Sequence, residues 1–131
     1  MNFTRLDTYF MIARIRNLTH PLPKPFEVKY CATFFTKLIG LMFQKEIAPY
    51  SGVVLVESHD NVLNTAIHML FMNFDICAAW IDKSGTVVDV QTAKRWRLLY
   101  KPQKPASLVL ETHRRHVSDI KVGDKIEYEI I

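Results

Sequence analysis

The sequence predicts an α+β fold: a small β-rich domain, a partly closed antiparallel or mixed β-barrel of about seven or eight strands with two short helices. Three observations lead there. Short runs of alternating or β-branched apolar residues recur along the chain, separated by Pro, Gly and Asp turn signals. Only two segments carry helical character. The 131 residues, 49% of them hydrophobic, make one domain able to bury roughly two-thirds of its unfolded surface.

Residues 1–9 read as a lead-in and 10–131 as a single domain. Residues 10–18 alternate apolar and basic in their second half, as a strand does. Three prolines in 21–25 forbid a regular ladder and make an extended connector. Residues 26–30 alternate again. Residues 33–44 are the best helix candidate: Phe34, Leu38, Leu41 and Met42 recur at helical spacing and Thr33 can cap the first turn. Leu38 and Met42 are therefore expected in the core. Gly40 costs a helix interior ~1 kcal/mol relative to Ala, which points to a close backbone contact there. Residues 49–52 read as a turn and 53–56 as a buried strand. Residues 66–72, 76–82 and 86–91 read as a central three-stranded meander, its second turn at 83–85. Strand parity puts Trp80 and Ile81 on opposite faces. A basic loop fills 93–105, with Pro102 and Pro105. Residues 107–111 read as a strand, 112–120 as a short helix, 122–124 as a turn and 126–131 as the last strand.

Composition excludes several classes. Apolar residues throughout rule out disorder, 4 Gly and 6 Pro rule out collagen-like repeats, and 2 Cys rule out a disulfide scaffold. The apolar run 9–13 is interrupted by Arg14 and Arg16, too early for a signal peptide. The run 66–74 falls well short of the ~20 residues of a membrane span. A soluble, cytoplasmic, monomeric protein is the expectation. No Gly-x-Ser-x-Gly or phosphate-cradling glycine loop occurs, so no nucleotide or dinucleotide cofactor is expected.

Charge is concentrated in one place. From Lys94 to His116 there are seven basic residues and one acid, Glu111. That stretch is +6 in a chain of net charge +4, which leaves the rest at −2. Lys94, Arg95, Arg97, Lys101 and Lys104 are the candidate anion-binding residues. Trp96 and Tyr100 interleave with them, a pattern that binds single-stranded nucleic acid by stacking and phosphate contact. Trp96 itself can instead pack inward and anchor the loop.

His68 sits in an apolar stretch, where a buried polar side chain needs a partner. With Asp75 and Cys77 nearby it forms a candidate Cys/His/Asp catalytic constellation, set against the plainer reading of a hydrogen-bonded core or rim histidine. His68 and Trp96 are the candidate pocket residues. His113 and His116, with Glu111 nearby, have the spacing of a metal pair, but Arg114 and Arg115 between them disfavour a cation. An exposed polar helix start is the reading there, and no metal is expected. His59-Asp60 reads as a loop pair.

An ordered set of short motifs resembles a known family. It runs from Gly40-Leu41-Met42-Phe43 through His68-Met69, Phe71-Met72 and Phe74 to Ile81-Asp82 and Gly85. Lys94, Trp96-Arg97, Val109-Leu110-Glu111 and Val122-Gly123-Asp124 complete it. Over roughly residues 10–131 the chain resembles the domain of unknown function 192 family. The resemblance implies a compact β-rich domain and no agreed activity or catalytic residues. The chain departs from the family pattern at Asp75-Ile76-Cys77, where a Pro-hydrophobic-Asp triplet is usual. It departs again at Lys37, where Arg is usual, and at Leu70-Phe71, where Lys-Asn is. The functional expectation is a non-enzymatic binding or accessory module that engages an anionic ligand or single-stranded nucleic acid through the 94–104 loop. The alternative is a small hydrolase-like enzyme using His68 with Cys77 or Asp75.

Overall fold

The computed structural model describes residues 11–131, apart from the side chains of Phe34 and Phe35. The predicted lead-in, the first residue of the first predicted strand and the expected role of Phe34 lie outside the described residues. The elements are β1 (Met11–Asn17), β2 (Phe26–Cys31), α1 (Phe34–Ile39), β3 (Gly52–Asn61), β4 (Ile76–Ile81), β5 (Val87–Ala93), β6 (Ala106–His113), a 3-10 helix (Arg114–Ser118) and β7 (Ile126–Ile130). The strands form one sheet in the order β5-β4-β6-β3-β2-β1-β7. Among the described strands only the β2–β3 pair is parallel, because α1 lies in the connection between them; the other pairs are antiparallel.

The two edge strands meet at one corner. Thr86 bridges Lys125, and the Ile126 N–H donates to the Gly85 carbonyl at 2.8 Å. The sheet is thus the partly closed barrel expected from sequence, mostly β, with seven strands among the described residues, within the seven or eight expected.

Strand parity sorts the core into two layers. Ile15, Phe26, Val28, Cys77, Ile81 and Leu110 belong to one cluster; Val53, Met69, Ile76, Trp80 and Val109 belong to the other. β4 is buried along its whole length, and Trp80 and Ile81 fall in opposite layers as parity requires. Its small residues Cys77, Ala78 and Ala79 let both layers approach the strand.

Three expectations are corrected. The two short helices are not borne out as drawn. α1 starts on the expected Thr33 cap, whose hydroxyl accepts from the Thr36 N–H at 3.1 Å, but stops at Ile39 because Gly40 turns to φ 47°. Leu38 is 45% exposed, Met42 is half-buried, and Leu41, beyond the helix, fills the core instead. In the second segment strand β6 continues to His113 and only a 3-10 turn follows. Finally, residues 66–72 are not a strand. Ile67 and Met69 alternate inward, but Phe71 adopts φ 61° and ends the alternation. That stretch pairs with the basic loop rather than the sheet. Ile67 bridges Tyr100, and the Met69 N–H donates to the Arg97 carbonyl at 2.8 Å.

Candidate functional site

The basic loop connects β5 to β6, and its backbone is held at several points. Pro102 is buried. The Gln91 amide donates to the Lys101 carbonyl at 2.9 Å, the Gln103 N–H to Asp89 at 3.1 Å and the Lys94 N–H to the Tyr100 hydroxyl at 2.9 Å. From this frame Lys94, Arg95, Arg97, Lys101 and Lys104 all extend into solvent. Arg95 is partly neutralised: its Nε lies 3.5 Å from Asp75 Oδ1, which also accepts its backbone N–H at 2.9 Å. The other four make no ion pair among the described residues.

Trp96 does not pack inward, correcting the reading that gave it an anchoring role. It is 54% exposed and meets Phe71 edge-on, ring centroids 5.3 Å apart. Phe71 in turn lies 5.1 Å from Phe43, and both are also exposed. The result is a row of three solvent-facing aromatic rings beside Lys94, Arg95 and Arg97.

The same three residues are the non-glycine positions with positive φ among those described: Phe43 at 67°, Phe71 at 61° and Trp96 at 67°. Left-handed backbone at a bulky side chain costs on the order of 1–3 kcal/mol and persists only where surrounding bonds impose it. Here the Trp96 N–H donates to the Met69 carbonyl at 2.7 Å and the Phe43 N–H to the Phe71 carbonyl at 3.0 Å. Backbone geometry therefore presents rings that folding ordinarily hides.

His68 lies elsewhere, at a cavity of about 280 Å³ between α1, the residues just after it, and β3 and β6. Trp96 does not line this cavity, so the two predicted pocket residues are not brought together. Nδ1 of His68 accepts the Leu70 N–H at 3.2 Å and Nε2 stands 3.1 Å from the Leu38 carbonyl. Those partners require the proton on Nε2 and leave neither nitrogen free.

The candidate catalytic constellation is not assembled. Cys77 is fully buried in the layer opposite the cavity, and burial pushes its thiol up to about 12. Asp75 is engaged by Arg95. Cys31 is likewise buried and pushed up to about 12, first by desolvation and then by Glu111. Both cysteines are free thiols held in the neutral, unreactive form.

His113 and His116 do not form a metal pair either. His113 Nδ1 accepts the Arg115 N–H at 3.1 Å. His116 is completely buried, bonded to Asp119 at 2.9 Å and to the Pro49 carbonyl, and edge-on to Phe26. Among the described residues no cluster of His, Cys, Asp or Glu could hold a metal ion. Nor is any described helix long and apolar enough to cross a membrane.

Glu111 takes on an unexpected place. It lines the cavity, is 5% exposed, and its carboxyl has no hydrogen-bond or ion-pair partner among the described residues. No described polar side-chain atom is sealed away unsatisfied, so its oxygens open onto the cavity space. Burial pushes this carboxyl up to about 8.

Residues 15–128 match the domain of unknown function 192 family, described as an uncharacterized ACR. The chain belongs to this family. It is 41% identical over 85 residues to a UPF0127 protein of Thermococcus kodakarensis, a match covering 65% of this chain and 52% of that protein. The chain thus spans about half the length of that relative. A UPF0127 protein of Thermococcus gammatolerans is 34% identical over 105 residues, covering 79% of this chain and 67% of that one. Among solved structures, a protein of Sinorhizobium meliloti described as a candidate transcription regulator superposes with a TM-score of 0.77. It is 16% identical and covers 90% of this chain and 92% of its own. That likeness shows the fold alone. The family has no assigned function.

Proposed function

We propose that this domain is a non-enzymatic, cytoplasmic binding module for single-stranded nucleic acid, with phosphates on the 94–104 cations and bases on the neighbouring aromatic row. The observation that carries the proposal is that Phe43, Phe71 and Trp96 are exposed, in ring contact, and each at positive φ. Strained residues that gather in one place are a mark of function. Base–aromatic stacking is worth ~1–3 kcal/mol per base and tolerates any sequence. The loop backbone is pinned before a ligand arrives, which reduces the ordering cost of binding to the side chains alone. Two acids temper the field: Asp75 against Arg95, and Asp89 on the Gln103 N–H of the loop.

Binding by this surface has a definite salt signature. Four unpaired cations meeting three or four phosphates give a slope of log K against log salt of about −2 to −3, at ~0.7 per phosphate on a single strand. A fluorescence-anisotropy titration with oligo(dT) at several salt concentrations measures it. Arg97→Glu/Lys101→Glu should weaken low-salt binding by at least tenfold. Equal binding by wild type and variant, or affinity that does not respond to salt, overturns the proposal.

A further inference from the structure

We infer that the cavity beside α1 is a binding site for a small organic amine, whose ammonium group pairs with Glu111 while its apolar body fills the space above. This site is separate from the basic surface and does not depend on it. Glu111 is 95% buried by fractional exposure, opens onto the cavity and has no polar partner among the described residues. A buried carboxyl without a partner is costly and uncommon, and it calls for an explanation. The lysine in the cavity wall, Lys37, is already paired with Glu57. His68 has both nitrogens engaged.

Glycine stands where a side chain would crowd the carboxylate. A Cβ on Gly40 would lie 3.3 Å from Glu111 Oε1. The remaining wall is largely apolar, with Leu41, Leu55, Ile67, Met72 and Val109. One unpaired acid in a largely apolar wall, with Glu57 already held by Lys37, is complementary to a cation with a hydrocarbon body. A free carboxylate or phosphate would meet Glu111 and Glu57. The volume, about 280 Å³, lies at the small end of ligand sites and suits an amine of one ring or a short chain.

The titratable groups facing Glu111 are Cys31 from β2, the Lys37–Glu57 pair from α1 and β3, and His68. Its carboxyl, raised by burial, ionises when the ammonium arrives, so binding near pH 7 releases a proton. The probes are n-butylamine and phenethylamine, compared with 2-phenylethanol and 3-phenylpropionate, followed by amide chemical shifts on the full chain. Saturable shifts at Gly40, Ile67 and Glu111 are expected for at least one amine. The alcohol should bind at least tenfold more weakly and the carboxylate not at all. Glu111→Gln, which keeps the shape and removes the charge, should weaken amine binding at least tenfold. The inference is overturned if neither amine gives saturable shifts there, if the alcohol binds as well, or if the Gln variant binds the amine unchanged.

Discussion

Glu111→Gln should raise the stability of the folded chain by about 3 kcal/mol at pH 8 and change it little near pH 4. Glu111 is buried with no compensating partner among the described residues, and burial raises it from 4.5 to about 8. Well below pH 4.5 the group is protonated in both folded and unfolded chains and adds no pH-dependent cost. As pH rises from 4.5 toward 8 the unfolded chain ionises first, so stability is progressively lost, at up to 1.36 kcal/mol per unit. Above 8 both states are ionised and the loss levels off. Relaxation of the protein around a buried charge trims the full interval, hence about 3 kcal/mol rather than nearly 5. Urea denaturation of both chains at pH 4, 6 and 8 isolates the effect, because every other titrating group is common to them. Parallel pH profiles would mean that Glu111 is solvated like a surface carboxylate.

Trp80→Ala should cost about 3–5 kcal/mol, the range for removing a fully buried large aromatic. Trp80 is completely buried on β4, and its Nε1–H donates to the Thr65 carbonyl at 2.7 Å. Removing it opens a void in the layer that holds Ile67, Met69 and Met72, and leaves the Thr65 carbonyl without that donor. Residues 65–72 carry one wall of the cavity and the Phe71 step of the aromatic row. Hydrogen exchange in 65–72 should therefore accelerate more than in β1 and β2. A loss below about 1 kcal/mol, read from the denaturation midpoint, would contradict the packing described for β4.

Much of the fold was legible because the sheet follows period-two alternation. β1, β2, β4, β5 and β7 lie within a residue or two of the expected spans, and the opposed faces of Trp80 and Ile81 follow from parity alone. The failures at 66–72 and at Leu38 came from reading apolar spacing ahead of backbone conformation. Residues 66–72 are as apolar as a strand, yet Phe71 turns left-handed and the segment pairs with a loop. Leu38 has helical spacing, yet Gly40 ends α1 before that spacing can face the core.

The site was legible in part. Clustered charge located the cations, and the exposure of all five agrees with their expected position on a loop. The aromatic row was hidden because Phe43 and Phe71 lie far from Trp96 in sequence and no residue type marks a left-handed phenylalanine. Glu111 had a readable signal. It sits inside the nearly continuous apolar run of β6, and a strand flanked by β3 and β4 buries both faces. The spacing of His68, Asp75 and Cys77 misled because adjacency in sequence says nothing about layers: Cys77 faces the layer away from the His68 cavity.

The two tryptophans make the most direct measurement possible. Trp80 is sealed in the core and Trp96 is 54% exposed, so their emissions differ in position and in access to quenchers. Saturating oligo(dT) at low salt should quench the red-shifted emission of Trp96 as a base stacks on it, leaving the Trp80 component unchanged. In Trp96→Phe that quenching should vanish while the chain stays folded. If oligo(dT) binds without perturbing Trp96, or fails to bind at low salt, single strands are not the ligand of this surface.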